Sequence, residues 1–207
     1  MTGERPPFLI DLHVHTTRHS FDSGLKPEEA VQRALAARLG AICFTEHNAT
    51  WPAADALELG ERLGLPVLRG MEVSTDAGHV LVFGLERHSM EMARVEDLRR
   101  IVLGEGALMV LAHPMREPTF GRPWSEAAKL FDGLEALNAD DSRHSFRMLE
   151  EVAAQLGIVA TGGSDAHSAA AVGRCATAFE EVIGDEAALI AALRERKARP
   201  VVVERPA

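Results

Sequence analysis

The sequence predicts an α/β fold in which a parallel sheet, covered by helices, closes into a barrel of seven strands or a distorted barrel. Strand-like and helix-like segments alternate along the chain, which is typical of parallel sheets with helical crossovers. The strand-like segments are continuous apolar runs, as burial on both faces requires. The 207 residues are few for the eight strand–helix units of a full barrel, which takes about 250 residues.

Nine apolar runs bounded by glycine, proline or polar residues are predicted to be strands. They lie at 8–12, 41–45, 66–71, 79–84, 107–112, 133–137, 158–161, 177–179 and 200–203. Six helices are predicted between them, at 27–38, 52–63, 95–103, 126–130, 143–156 and 186–197. Pro27 and the acidic residues after it mark a helix start, and Gly40, Gly64 and Gly157 follow helices as stop signals. No linker or repeat divides the chain, so one domain over 1–207 is expected.

Composition and charge exclude several classes of protein. The net charge is −9, and no cluster of lysine and arginine suggests a partner with a long phosphate backbone. No run of about 18 apolar residues suggests a membrane span, and no apolar segment near the first residue suggests a signal peptide. Cys43 and Cys175 lie in apolar runs, so buried free thiols and a cytoplasmic location are expected.

Histidines and acidic residues occur in five clusters, nearly all where a predicted strand ends. They are Asp11, His13 and His15; Glu46 and His47; Glu72 and His79; His113; and Asp165 and His167. A barrel brings such strand ends to one rim, where imidazoles and carboxylates from distant positions meet. The sequence therefore predicts a site for several metal ions.

Each cluster alone also fits a buried structural histidine or a surface carboxylate. His13 and His15 are two residues apart and project to the same side of an extended chain, and two imidazoles suit zinc or manganese. Five such clusters at strand ends favour the metal site, because unpaired buried charges would cost several kcal/mol each. Gly162 and Gly163, before Asp165, allow a tight turn that brings the backbone close to the site.

Five ordered motifs resemble those of the PHP (polymerase and histidinol phosphatase) superfamily. They are Asp-Leu-His-Val-His-Thr at 11–16, Thr-Glu-His-Asn at 45–48, Gly-Met-Glu at 70–72 with His79 after it, Ala-His-Pro at 112–114, and Gly-Ser-Asp-Ala-His at 163–167. The chain is similar to the small stand-alone phosphoesterases of this superfamily rather than to its polymerase-fused forms. The resemblance implies a distorted (β/α)7 TIM-like barrel with two to three divalent metal ions, zinc, manganese or iron.

The resemblance also implies a ligand set for three metals. The first would be held by His13, His15, Glu72 and Asp165; the second by Glu72, His79 and His113; the third by Asp22, His47 and His167. Many superfamily members carry aspartate where this chain has Glu46. Two roles therefore stay open for Glu46, as a direct metal ligand or as a residue that supports a ligand. Asn138 stands where some members have a histidine or cysteine ligand, and it is kept as a possible substrate contact. Asp11 is expected to orient a ligand histidine.

The hypothesis from these residues is in-line attack on phosphorus by a hydroxide bridging the metals. Arg116, Asp165 and His167 are the expected catalytic residues, and Arg116 is expected to bind the phosphate through a bidentate pair of hydrogen bonds. Weaker candidates of this kind are Arg18, Arg143 and His144. His19 and His88 are expected at the surface, although His19 is also considered as a substituted ligand or proton donor. Selectivity is expected in the loops around Trp51, 116–124 and 138–144.

The predicted substrate is a small phosphate ester, with nucleotides and histidinol phosphate as examples, and no membrane partner is expected. Three alternatives stay open. One is a 3′–5′ exonuclease acting on short single strands, although the absence of tyrosine and the 5% aromatic content leave few stacking residues. A second is amide or lactone hydrolysis on the same metals. The third is a non-catalytic binding module, which the completeness of the ligand set disfavours.

Overall fold

The computed structural model describes residues 7–116, 128–139 and 142–204. The strands are β1 Phe8–Val14, β2 Ala41–His47, β3 Val67–Thr75, β4 Gly78–Phe83, β5 Leu108–Leu111, β6 Gly133–Asn138, β7 Val159–Gly163, β8 Cys175–Phe179 and β9 Ala198–Val202. The helices are α1 Pro27–Ala36, α2 Ala53–Leu63, α3 Val95–Gly104, α4 Arg143–Leu156 and α5 Glu186–Arg194. All nine predicted strands are therefore confirmed.

The helix boundaries follow from local chemistry. Pro27 occupies the first turn of α1, and Arg38, with φ 58°, leaves the helical conformation just beyond its end. Ser142 and Asp185 cap α4 and α5 by accepting backbone N–H bonds from the third residue after them. Gly64 and Gly157 adopt the left-handed conformation after α2 and α4. Of the helix predicted at 126–130, residues 128–130 form a 3₁₀ turn and residues 126 and 127 lie outside the described residues.

The sheet forms a nearly closed barrel, which confirms the predicted TIM-like fold class. Its strand order is β7-β6-β5-β4-β3-β2-β1-β8-β9. The barrel of β1 to β7 is joined by a parallel bridge between Val14 and Ala166, with His15 N donating to Ala166 O at 2.9 Å. β8 pairs with the first part of β1 and with β9.

The sheet is mixed, so the prediction of a parallel sheet is wrong in detail. β1, β2 and β3 are parallel neighbours, as are β5, β6 and β7. β4 is antiparallel to both β3 and β5. The reason is the connection at Asp76 and Ala77, which joins β3 to β4 in a tight turn that Thr75 Oγ1 closes by donating to Gly78 O at 2.7 Å. A parallel crossover would need about a dozen residues or more.

Three clusters of buried apolar side chains stabilise this arrangement. One joins β1 and β2 to α1 and α2. A second joins β3, β4 and β5 to α3 and α4. The third combines strand residues with α5 and includes Cys43; both cysteines are buried free thiols. No helix among the described residues is long and apolar enough to cross a membrane. The strand ends that carry the polar clusters are therefore held on a rigid, well-packed sheet.

Candidate metal centre

Strand ends at one edge of the barrel deliver the predicted ligands to a single centre. His13 lies in β1, His47 ends β2 and Glu72 lies in β3, while the other ligands sit in β4 or just beyond strand ends. His79 reaches the same edge because β4 runs antiparallel to β3, so that the start of β4 pairs with the end of β3. Four of the predicted ligands thus lie within β1, β2, β3 and β4, and the other five lie in the segments that follow β1, β5 and β7.

Glu72 is the centre of the arrangement and is almost fully buried. Its Oε1 lies 3.3 Å from His13 Nε2, 3.1 Å from His79 Nδ1 and 3.0 Å from His113 Nε2. Its Oε2 lies 3.4 Å from His15 Nε2 and 2.9 Å from His47 Nδ1. One carboxylate therefore faces five imidazoles, as a group that bridges two metals would.

Asp165 contributes a second carboxylate to the same centre. Its Oδ1 lies 3.4 Å from His13 Nε2 and 3.3 Å from His15 Nε2, and 3.6 Å from His167 Nδ1. Its other oxygen, Oδ2, accepts a 2.6 Å hydrogen bond from Arg116 Nη1. The Asp165 backbone is left-handed, with φ 52°. A non-glycine residue in this region is sustained by its surroundings and is frequent at functional sites.

A third group of ligands lies toward solvent. Asp22 Oδ2 is 3.1 Å from His47 Nε2 and 3.4 Å from His167 Nε2. The ring of His15 stacks on those of His47 and His167, with centroids 4.2 and 4.4 Å apart. Asp22, His79, His167 and Arg116 have side chains 30–41% exposed, whereas His13 and Glu72 have almost none. Among the described residues, the centre is thus exposed toward Asp22, His79, His167 and Arg116 and closed around His13 and Glu72.

The ligand atoms form three compact groups, each within 4.8 Å: His13, Glu72 and His113; His13, His15 and Asp165; and His15, His47 and His167. These differ slightly from the sets implied by the resemblance. His13 and His15 each belong to two of the groups. His79 belongs to none of the three but contacts Glu72, and Asp22 likewise contacts His47 and His167. All nine predicted metal-ligating residues lie at this one centre.

The donor set fits divalent metals. Among the described residues, His13 Nε2, His15 Nε2 and Glu72 Oε2 are buried without a hydrogen bond of good geometry. Buried polar atoms without partners are rare and costly. His13 Nε2 lies 3.3 Å from Glu72 Oε1, and His15 Nε2 lies 3.4 Å from Glu72 Oε2 and 3.3 Å from Asp165 Oδ1. Imidazole and carboxylate ligands together suit zinc, manganese or iron, and such an ion would satisfy all three atoms.

Opposed charges fix the protonation of this centre. Burial alone would raise the pKa of Glu72, but His13, His113 and His47 hold it well below its usual range. The pKa of Asp165 is lowered in the same way by His13 and His15. Burial would lower the pKa of His13, yet Glu135, Asp165 and Glu72 raise it well above the ordinary value. Protonated imidazole thus balances the carboxylates where a metal cation would otherwise do so.

Two residues that the sequence did not single out hold the imidazoles. Glu135, buried in β6, lies 3.0 Å from His13 Nδ1. Ser20 Oγ lies 3.2 Å from His15 Nδ1 and donates to Glu46 Oε2 at 2.6 Å. The only sequence signal for Glu135 was a single acid in the apolar run 133–137.

Glu46 has contacts that point away from the centre. It accepts hydrogen bonds from Thr16 N at 2.9 Å and Trp51 Nε1 at 2.9 Å, besides Ser20 and the Thr16 hydroxyl. Both of its oxygens are therefore used to hold the loop after β1 against the loop after β2. This arrangement favours a supporting role over metal binding.

Asp11 contacts the ligand candidate His13 through its backbone, accepting a 3.4 Å hydrogen bond from His13 N, and not through the imidazole. It accepts from Ser164 N, Ser164 Oγ and Gly173 N at 2.9, 2.5 and 2.9 Å. Burial outweighs these bonds and raises the pKa of Asp11 to about 6. Asp11 therefore ties β1 to the segment that follows β7.

Gly162 and Gly163 also differ from expectation, because they lie in β7 rather than in a tight turn. A Cβ on Gly163 would lie 2.5 Å from His13 Cβ and 3.0 Å from His13 N. The absence of a side chain lets β7 approach β1 at the ligand itself.

The other predicted site residues lie around the rim. Arg116 donates to Asn138 Oδ1 as well as to Asp165, so it touches the centre and Asn138. Arg18 lies over the Trp51 ring, 4.3 Å from its centroid, and pairs with Asp55. His19 and His144 are exposed, and His88 is partly exposed. The Arg143 side chain and residues 117–124 lie outside the described residues.

Comparison with known proteins identifies several similar chains. Residues 144–198 match the family model described as PHP-associated. A 3′,5′-nucleoside bisphosphate phosphatase from Chromobacterium violaceum is 35% identical over 94 residues, covering 44% of this chain and 32% of that protein. The 5′–3′ exoribonuclease Rnm of Escherichia coli is 41% identical over 69 residues, covering 32% of this chain and 23% of that protein. The chain thus spans a third or less of the length of these curated relatives.

A solved structure supports the fold. A two-domain Bacteroides vulgatus protein, described as containing a predicted PHP-like metal-dependent phosphoesterase, superposes with a TM-score of 0.70 at 20% identity. The match covers 95% of this chain and 65% of that protein. At this identity the match shows the fold alone, while the PHP-associated family model over residues 144–198 agrees with the resemblance that the five motifs indicated.

Proposed function

We propose that this chain, whose motifs and fold resemble those of PHP phosphoesterases, is a metal-dependent hydrolase of small phosphate esters. The observation that carries the proposal is the convergence of six histidines and three acids on one partly open centre. So many imidazoles and carboxylates at one centre are explained by metal binding more readily than by a role in stabilising the fold. The bisphosphate phosphatase among the relatives supports phosphate esters as the substrate class.

We propose the ligands to be His13, His15, Asp22, His47, Glu72, His79, His113, Asp165 and His167. Zinc, manganese or iron would suit these side chains, and two to three ions would occupy them. When bound, such ions supply charge stabilisation and a nucleophile at neutral pH. The low pKa of Glu72 and of Asp165 keeps both carboxylates ionised for that task.

The chain's own residues would bind and orient the phosphate. Arg116 lies at the open side of the centre and contacts Asp165, and a guanidinium matches phosphate oxygens with paired N–H donors. Asn138 holds that guanidinium from behind. His167 is part of the rim, about a third exposed, where it would contact the substrate beside Asp22. These residues would fix the ester for in-line displacement.

The test is a panel of phosphomonoesters, including nucleoside monophosphates, 3′,5′-bisphosphates and histidinol phosphate. The protein is purified without chelator, analysed for bound metal and assayed with added Mn²⁺. We expect two to three equivalents of metal and release of inorganic phosphate from at least one ester. Metal-loaded protein that hydrolyses none of the panel would contradict the proposal.

A second candidate, cleavage of short nucleic acids from one end, is favoured by the likeness to the exoribonuclease Rnm. That name gives the direction 5′–3′, opposite to the 3′–5′ direction considered from the sequence. The net charge of −9 opposes binding of a long polyanion. Oligonucleotides labelled at either end, assayed beside the mononucleotides, separate the two candidates.

A further inference from the structure

Three hydrogen-bond donors converge on the buried carboxylate of Glu135. His13 Nδ1 lies 3.0 Å from Oε1. His113 N and Asn138 Nδ2 donate to Oε2 at 2.9 and 3.0 Å. Glu135 therefore touches one ligand imidazole, the backbone of a second ligand, and the amide that contacts Arg116.

Only a group that accepts on both oxygens satisfies this geometry. An ionised carboxylate is such a group, whereas a carboxamide has one acceptor and one donor end. With glutamine at position 135, an NH₂ group would face either His13 Nδ1 or the two donors at Oε2. A carboxylate therefore accepts from all three partners, whereas a carboxamide would either repel two donors or force His13 Nδ1 to accept.

The contact with His13 decides which ring nitrogen faces the centre. When Nδ1 donates its hydrogen to Glu135, Nε2 keeps its lone pair. That Nε2 lies 3.3 Å from Glu72 Oε1 and 3.4 Å from Asp165 Oδ1. A carboxylate behind a metal-ligating histidine fixes the tautomer and ring orientation.

The contact with the backbone N–H of His113 stabilises an unusual backbone conformation at that residue. His113 has φ 25°, outside the regions that residues with side chains favour. Its N–H is bound by Glu135, and its ring Nε2 lies 3.0 Å from Glu72 Oε1. The rings of His13 and His113 are nearly parallel, with centroids 5.7 Å apart.

We propose that Glu135 is the positioning residue of the metal centre, orienting His13 through its ring and His113 through its backbone. The proposal rests on the proposed function, because it assumes that these two histidines bind metal. Through Asn138 the same carboxylate also sets the position of Arg116. One buried acid thereby couples the metal ligands to the residue proposed to bind phosphate.

The test compares Glu135→Gln with Asp132→Asn. Asp132 is a matched control because it is an acid that directly precedes β6 and accepts a backbone hydrogen bond, from Met109 N in β5 at 3.0 Å. It differs from Glu135 in that its side chain pairs with Arg99 and not with an imidazole. Zinc affinity is measured by competition with a chromogenic chelator. Long-range ¹⁵N NMR of the zinc-loaded protein reports the His13 tautomer.

We expect E135Q to bind zinc about 10–100-fold more weakly and to lose the single Nδ1–H tautomer of His13. D132N keeps wild-type affinity and tautomer. Glu135→Asp, which retains two acceptor oxygens on a shorter chain, recovers part of the affinity and keeps the metal-binding assay informative if E135Q does not fold.

Equal affinities and an unchanged tautomer in E135Q would overturn the proposal. So would equal losses in E135Q and D132N, since Glu135 would then only link strands. Wild-type protein that binds zinc but hydrolyses no phosphate ester contradicts the proposed function alone, and the affinity comparison still decides the role of Glu135.

Discussion

At the scale of single residues, two acids face all six histidines of the centre, because Glu72 faces five of the imidazoles and Asp165 faces His167 as well as His13 and His15. The sequence indicates His13, Glu72 and Asp165 as site residues because each comes shortly after an apolar run. A polar side chain at such a buried strand end requires a partner. Glu135 lies inside such a run, and only the packing of β6 beside His13 reveals its role. Asp11 and Glu46 sit within the motifs, but their partners belong to loops whose shape the sequence does not determine.

Removing a central ligand should remove metal and activity together. For His13→Ala or Asp165→Ala we expect loss of at least one metal equivalent and about a 100-fold or greater fall in phosphoester hydrolysis. The reason is that His13 belongs to two of the ligand groups, and Asp165 Oδ1 lies within 3.4 Å of both His13 and His15. Metal analysis and turnover are measured on the same samples, with circular dichroism near that of the wild type. Full turnover in either variant would show that the ligand assignment is wrong.

Arg116 should act on substrate rather than on metal. Arg116→Ala removes the guanidinium from Asp165 and Asn138, so we expect a weaker competitive inhibition by inorganic phosphate, roughly 10-fold or more. Metal content should stay at the wild-type level. Arg18→Ala is the matched control, since Arg18 pairs with Asp55 and lies over Trp51. Loss of metal in R116A would reassign the residue to the structure of the centre.

Metal binding should release protons. The pKa of His13 is raised by Glu135, Asp165 and Glu72 against the opposing effect of burial, and the pKa of His47 is raised first by its bond to Glu72. A raised pKa means that the metal-free imidazole holds a proton, which a metal must displace. Affinity should therefore rise with pH, by about tenfold per pH unit for each proton released.

Calorimetric zinc titrations in buffers of different ionisation enthalpy measure this release directly. An affinity that stays constant between about pH 6 and about pH 8 would contradict the charge arrangement described for the centre.

At the scale of elements, the sequence predicted every strand but not every direction. The continuous apolar runs gave the positions of β1 to β9, because burial on both faces depends only on local composition. The apolar runs do not indicate the antiparallel direction of β4, which the two-residue turn at Asp76 and Ala77 imposes. The consequence is functional, since the reversal is what brings His79 beside Glu72 at 3.1 Å.

Close contact between β7 and β1 is the element-scale feature most open to test. Gly163→Ala adds a Cβ that would meet His13 Cβ at 2.5 Å and His13 N at 3.0 Å, and backbone atoms cannot yield cheaply. We expect a loss of about 1–3 kcal/mol in the free energy of unfolding, together with weaker metal binding. Gly104→Ala, at a position with open space, should be neutral or stabilising. Urea unfolding of both variants makes the comparison, and equal stabilities would refute it.

At the scale of the whole molecule, the centre joins segments that are far apart in the chain. Val14 and Ala166 close the barrel beside the ligands, and the ligands span residues 13 to 167. The sequence predicted the barrel from the number of strands and the length, whereas the closing bridge depends on the left-handed turn at Asp165. Metal ions at this position would link β1 to the segment after β7, which an isolated bridge joins.

Chelation should accordingly destabilise the entire fold. A ligand present at about 1,000 times its Kd contributes about 4 kcal/mol of stability, which for a chain of this size corresponds to roughly 8–16 °C in Tm. We expect EDTA to lower the Tm of metal-loaded protein by that order and added Mn²⁺ or Zn²⁺ to restore it. Asp165→Ala should show a much smaller response to EDTA, because its barrel lacks a ligand at the closing turn. Differential scanning calorimetry with and without chelator measures the effect, and a Tm that does not respond in the wild type would separate barrel stability from metal binding.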